Sequence, residues 1–155
     1  MKLTPTNRTD YAIRALIYLV NHQGSYAKAA DIASTMDIPT GFLHQVLQEL
    51  QRARLVSSRS GPSGGYLLAR APEDITILEI VETLEDPIQT SECALRGGPC
   101  HWDEVCAMHW VWSSARTALS DSLRGATLAR VAADDHAIAE ATAPVPADPH
   151  RRHRR

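Results

Sequence analysis

A mainly α fold with a single small β-hairpin is what this sequence predicts, on three observations. Apolar residues recur at helical spacing in five separate stretches between Tyr11 and Arg124. A Ser60-Gly-Pro-Ser-Gly-Gly65 turn joins two short alternating runs, the pattern of a hairpin. Two short helices joined by a tight turn stand directly before that hairpin, the arrangement of a helix-turn-helix followed by a wing. A winged helix-turn-helix domain plus one long helix beyond it accounts for all three.

In the first helix, Tyr11 to Asn21, Ile13, Leu16, Ile17 and Val20 mark the apolar stripe, with Thr9 or Asp10 as cap. Gly24 breaks the chain. Lys28 to Met36 repeats the period through Ala29, Ile32, Ala33 and Met36. Pro39 is expected to stop this second helix and Thr40 to cap the third. Phe42, Val46, Leu47 and Leu50 line one face of that third helix, which runs to about Arg52. The wing follows as strands over 55–59 and 66–70, closed by Pro72. Ile75, Leu78, Ile80, Val81 and Leu84 predict a helix over about 76–85, ended at Asp86-Pro87. From Glu104, the spacing of Val105, Met108, Val111, Trp112, Ala115, Leu119 and Leu123 predicts a long helix. The organisation expected is a DNA-binding domain over 1–72, a connecting helix, cysteine loop and long helix over 73–133, and a disordered tail over 134–155. The last thirteen residues of that tail carry three prolines and almost no apolar bulk.

The 155 residues carry a formal net charge of −2, which conceals a partition. Residues 1–72 sum to +4, residues 73–142 to −9 and residues 143–155 to +3. A basic front half suggests a polyanionic partner for that half. No apolar stretch approaches the ~18 residues of a membrane helix, and no apolar run follows Lys2 as a signal peptide requires. The expectation is a cytoplasmic protein with no membrane and no small-molecule substrate. Three cysteines, an odd count, do not suggest a disulfide framework.

A recognition helix presents its N-terminal residues to base edges in the major groove of double-stranded DNA. Here those are Thr40, Gly41, Phe42, His44, Gln45 and Gln48. Gln45 and Gln48 lie a turn apart, and glutamine pairs bidentately with adenine. Phe42 is expected to face the core rather than DNA. In the wing, Arg59 is the candidate groove or phosphate contact. Ser60, Ser63, Gly64 and Gly65 join it, the glycines letting backbone N–H groups approach phosphates.

All three cysteines, Cys93, Cys100 and Cys106, fall within fourteen residues, and His109 follows, in a C-x6-C-x5-C-x2-H pattern. Clustered thiolates select zinc, copper(I) or an iron–sulfur cluster. Asp10, His101 and His109 are available to complete a set, and Cys106 and His109 stand at i and i+3, one face of a helix. A structural zinc site and a reversible thiol–disulfide switch are the alternatives. A cysteine-dependent enzyme using Cys106, His109 and Asp103 is a remote one, because a chain this size leaves little material for a substrate pocket.

Taken together, these residues resemble the Rrf-two (Rrf2) family of winged-helix regulators, the IscR/NsrR/RirA group, over roughly residues 1–133. The markers are Met1-Lys-Leu-Thr4, Thr9-Asp-Tyr-Ala-Ile-Arg-Ala-Leu-Ile-Tyr18, Ile38-Pro-Thr-Gly-Phe-Leu43, Gly61-Pro-Ser-Gly-Gly-Tyr66, the three-cysteine loop, and Ala126-Thr-Leu-Ala129 at the expected end of the long helix. The resemblance implies a homodimer joined along the long helix, about Val105 to Arg124. It implies a regulator, as a repressor, whose operator binding follows a 2Fe-2S or 4Fe-4S cluster held by Cys93, Cys100 and Cys106 and answering to nitric oxide, iron supply or redox stress. The fourth ligand it implies is Asp10 of the partner subunit, as in the nitric-oxide-sensing branch, or His109, as in the IscR branch; His101, Glu104 or a small thiol stand behind them. The chain departs from the family pattern in two residues inserted before Thr9-Asp-Tyr11, in a first cysteine gap of six, and in Ser60 where a basic residue commonly precedes the wing glycine.

Overall fold

Leucine and alanine at positions 12, 15, 16 and 19 seal one face of the first helix, which lies at the centre of the described core. The computed structural model describes residues 5–85 and 106–142, so Cys93, Cys100, His101, Asp103, Glu104 and the tail from 143 lie outside the described residues. Helix α1 spans Asn7–Asn21, α2 Ala29–Met36 and α3 Thr40–Arg52. Strands β1 (Val56–Arg59) and β2 (Gly65–Leu68) form the hairpin, and a 3-10 turn covers Pro72–Asp74. Helices α4 (Ile77–Leu84), α5 (Met108–Gly125) and α6 (Leu128–Ala139) complete the described fold. Ala12, Ala15, Leu16, Ile32, Leu43, Leu47, Leu50, Leu55, Ile75, Ile80 and Leu128 form a fully buried core. No helix among the described residues is long and apolar enough to cross a membrane.

Several expected boundaries move, each for a physical reason. Helix α1 begins at Asn7 rather than Tyr11, with Thr6 as the residue before it. Thr9 and Asp10 therefore lie in its first turn and do not cap it. The Thr9 hydroxyl is fully buried and donates to Glu85. Pro39 does not stop α2. Asp37 does, in a left-handed conformation (φ 53°, ψ 52°), with Ile38 N–H returning to the Ala33 carbonyl. Pro39 instead precedes α3, whose first helical residue is Thr40, without a side-chain cap. The buried stripe of α3 is Leu43, Val46, Leu47 and Leu50. Phe42, expected in the core, is 53% exposed, because it sits one helical step off that i, i+3, i+4, i+7 stripe.

The domain boundary expected at 72 falls inside the core. Ile77, Ile80, Val81 and Leu84 of α4 pack into the same cluster as α1 and α3. So do Leu128 and Ala132 of α6, across a two-way backbone bridge in which Ile77 N–H donates to Ala126 and Leu128 N–H to Ile75, at 2.9 and 2.8 Å. Ala126-Thr-Leu-Ala129 stands at the end of the long helix, as expected, with Ala126 as the C-cap of α5, but the chain does not stop being helical there. It separates α5 from α6, with the Thr127 side chain accepting from Arg130 N–H as the N-cap of α6. That helix runs to Ala139, so the tail expected from 134 is helical over its first six residues.

The hairpin is antiparallel, with Val56 opposite Leu68 and Arg59 opposite Gly65. Ala27 extends it by one residue: Ala27 and Tyr66 exchange N–H···O bonds of 2.9 and 2.8 Å. Gly65 is glycine for this reason. Its φ is +153°, and a Cβ there would lie 2.3 Å from the Ala27 carbonyl oxygen. Gly65→Ala should cost roughly 1–3 kcal/mol through this backbone clash. Urea unfolding checks it: a midpoint equal to wild type would mean the hairpin relaxes freely away from Ala27.

Candidate nucleic-acid interface and cysteine segment

The polar side of α3 carries the candidate base contacts. With Leu43, Val46, Leu47 and Leu50 committed to the core, Thr40, Gly41, Phe42, His44, Gln45 and Gln48 are all exposed. The Phe42 ring tilts against Tyr11 at 6.1 Å between centroids. It is an apolar group on an otherwise polar surface, of the kind that meets a thymine methyl.

The wing sits beside this surface. Arg59, Ser60, Gly61, Pro62 and Ser63 are exposed, whereas Gly64 is buried. The N–H of Gly64 already donates to the Gly61 carbonyl at 3.0 Å, and a Cβ on it would strike the Arg59 carbonyl at 2.0 Å. Both wing glycines are thus required by close backbone packing, and the approach to phosphate expected of Gly64 is not open to its N–H. Arg59 lies with its guanidinium 4.4 Å from the Tyr26 ring centroid and donates to the Ser63 carbonyl at 3.0 Å.

An ion pair ties α1 to the reading helix, and a hydrogen bond ties it to the end of α2. Arg8 pairs with Glu49 of α3. Asp10 pairs with Arg14 at 2.6 Å, and Arg14 also donates to the Met36 carbonyl at the end of α2. Sequence periodicity carried no sign of a further contact, from the end of α4. One carboxylate oxygen of Glu85 accepts from Thr6 N–H (2.8 Å), the Thr6 hydroxyl (2.6 Å) and the Thr9 hydroxyl (2.6 Å). The Thr6 and Thr9 hydroxyls, with the Thr6 amide and nearby Arg8, hold the Glu85 carboxyl below its ordinary range despite the opposing effect of burial. A carboxyl with a lowered pKa stabilises the fold fully above its ordinary pKa, and that contribution disappears as pH falls through the lowered value. Solvent contact keeps the effect small, about 1 kcal/mol near neutral pH. The stability gap between wild type and Glu85→Gln should therefore close as pH falls below about 4; a gap independent of pH would assign the loss to packing alone.

Glu85 stands directly before the segment that bears Cys93 and Cys100, both outside the described residues. Cys106 is described. Its thiol is free and partly exposed, and it lies just ahead of α5, not within it. The helical i, i+3 face expected for Cys106 and His109 is thus replaced by a turn in which His109 N–H donates to the Cys106 carbonyl at 2.9 Å. The His109 side chain is exposed and its ring meets Trp110 edge-on at 5.4 Å. Asp10 is exposed on α1. No group of three or more His, Cys, Asp or Glu side chains gathers at one point among the described residues.

Helix α5 has eighteen residues and buries none of them. Met108, Val111, Ala115, Ala118 and Leu119 share one stripe along it, all exposed, with Val111 at 60%. In proteins most helical stability comes from the packing of an amphipathic face.

Comparison with known proteins gives one consistent answer. Residues 5–134 match the family described as Rrf2, iron-dependent transcriptional regulator. The chain is 32% identical to the HTH-type transcriptional regulator IscR of Erwinia tasmaniensis, over 84% of this chain and 78% of that one. Among solved structures it resembles CymR, the global cysteine regulator of B. subtilis (TM-score 0.74, 29% identity, 86% of this chain and 98% of that one). It also resembles the IscR of T. potens (TM-score 0.72, 27% identity, 94% and 95%).

Proposed function

The chain belongs to the Rrf2 family of transcriptional regulators, and from that premise we propose that it is a homodimeric repressor whose hold on its operator follows an iron–sulfur cluster. It is a DNA-binding transcriptional regulator and not an enzyme. The observation that carries the cluster reading is the free, partly exposed Cys106 thiol at the foot of α5, beside the exposed His109, with two further cysteines in the thirteen residues before it. Three soft donors in so short a span suit a cluster, with thiolates from Cys93, Cys100 and Cys106. When bound, a cluster supplies iron and sulfide that react with nitric oxide and oxidants.

For the fourth ligand we favour Asp10 of the partner subunit, with His109 behind it. The Asp10 carboxylate now holds Arg14, whose other contact is the Met36 carbonyl of the helix-turn-helix. A metal at Asp10 would compete with Arg14 for the carboxylate, which links ligand binding to the reading head. DNA contact in this reading falls to Thr40, Gly41, Phe42, His44, Gln45 and Gln48 in the major groove, with Arg59, Ser60 and Ser63 in the wing. The second copy covers the Met108–Val111–Leu119 stripe of α5.

Anaerobic purification tests the cofactor. The protein should be brown, with iron and acid-labile sulfide near one cluster per chain, and Cys106→Ala should be colourless. Asp10→Ala should perturb the spectrum more than His109→Ala; the reverse ranking assigns the histidine. Stoichiometric zinc without sulfide would overturn the cluster reading. The likeness to CymR, itself named a cysteine regulator, favours as the second reading a cluster-free thiol switch at the same cysteines. That reading predicts colourless protein whose operator affinity responds to thiol oxidants.

A further inference from the structure

We propose that Tyr26, Ala27 and Lys28 form a clamp that locks the wing to the helix-turn-helix, making Tyr26 and Lys28 positioning residues for DNA binding. The inference rests on the DNA-binding reading above and adds what aims the wing.

Each of the three consecutive residues holds a different part of the hairpin. Tyr26 offers its ring face to the Arg59 guanidinium at 4.4 Å. Ala27 exchanges two backbone hydrogen bonds with Tyr66, so close that only glycine fits at 65. Lys28 sends its ammonium to the Gly61 carbonyl at 3.3 Å and to the Pro62 carbonyl beside it. Arg59, so placed, donates in turn to the Ser63 carbonyl on the far side of the same turn. The wing turn thus has three of its outward carbonyls, at 61, 62 and 63, held by two cations that both trace back to residues 26–28.

The position of the clamp in the chain gives it its consequence. Lys28 is the N-cap residue of α2, and α2 leads through Asp37 directly into the reading helix α3. The base of the hairpin is fixed by Val56, buried in the core, and by Tyr66 and Leu68 packed against it; its turn end has no such anchor, and a two-stranded hairpin alone, at best marginally stable in water, would sample many orientations there. Clamped at 26–28, it moves as one body with α2 and α3, so both DNA-contacting elements reach the duplex in a fixed relation. Without the clamp, binding waits for the wing to find its place; if the competent orientation fell to a tenth of the population, affinity would fall about tenfold.

The test uses the full chain and a duplex that the wild-type chain enriches from a random-sequence pool. Lys28→Met and Tyr26→Leu should each weaken binding about tenfold and erase hydroxyl-radical protection over the same wing-side nucleotides, leaving protection by α3 intact. The double variant should be no weaker than the poorer single variant. Tyr26→Phe, which keeps the ring, and Lys28→Arg, which keeps the donors, should bind as wild type. Tyr26 carries no charge, so a shared footprint cannot come from loss of a phosphate contact by Lys28. Protection lost at different nucleotides, with effects that multiply, would overturn the clamp and make Lys28 an independent phosphate contact. Uniform weakening of every protected site with a fallen melting temperature would also overturn it, as a structural role only. A wild-type chain that enriches no duplex would overturn the DNA-binding reading and the clamp with it.

Discussion

Replacing Val111 and Leu119 with aspartate is expected to split the proposed homodimer into monomers at micromolar concentration. Both side chains are exposed in the single chain and stand on one stripe of α5, a helix that buries none of its residues. Neither substitution disturbs the core around α1, so the far-ultraviolet spectrum should be close to wild type. In the dimer each carboxylate would lie in an apolar seam without a partner, at a cost on the order of 3–5 kcal/mol for each uncompensated charge. Sedimentation equilibrium reads the outcome. A double variant still dimeric at the same concentration would place the second copy on another surface, and α5 would need a different cover.

The parts of the fold that were legible in sequence are those in which local pattern and packing agree. The stripe of α3 through Val46, Leu47 and Leu50 and the Gly-rich turn between the strands came directly from periodicity and turn chemistry. Where tertiary contacts decide, the pattern failed. Phe42 was expected inside because it is large and apolar, yet its helical phase puts it beside the reading face. Thr9 suits a cap by composition, but its hydroxyl is engaged by a carboxylate seventy-six residues away. The division at 72 followed the end of the hairpin and could not show that α4 and α6 return to finish the α1 core. The cysteine spacing was legible as a chemical pattern. The Tyr26–Lys28 contacts with the wing were not, because a lone tyrosine and a lysine thirty-odd residues before a turn carry no periodic signal. The one trace of them in the sequence is the second glycine of the Gly64-Gly65 pair, which only a close backbone neighbour demands.

On the function proposed above, loss of the cluster is expected to change operator affinity by a coupling of about 1–3 kcal/mol, 5- to 150-fold, while the proposed dimer persists. The cysteine-bearing segment joins the described structure at both ends. At one end Glu85 grips Thr6 and Thr9 at the start of α1, and at the other Cys106 leads into α5. From α1, Arg8 reaches Glu49 of the reading helix, and Asp10 pairs with Arg14, which donates to the Met36 carbonyl. A rearrangement at the cysteines therefore has short polar routes to α3, whereas the Val111–Leu119 stripe is made of side chains that need no metal. Cys106→Ala should reproduce the cluster-free affinity and be indifferent to nitric oxide.

The most direct measurement is fluorescence anisotropy of a labelled, selected operator duplex, titrated anaerobically at one salt concentration with cluster-loaded and with cluster-free protein. On the proposed function the two affinities should differ by about tenfold or more, within the range of known couplings, with both forms dimeric. Equal affinities would contradict it and leave a DNA-binding dimer whose cysteines serve some purpose other than control of the operator.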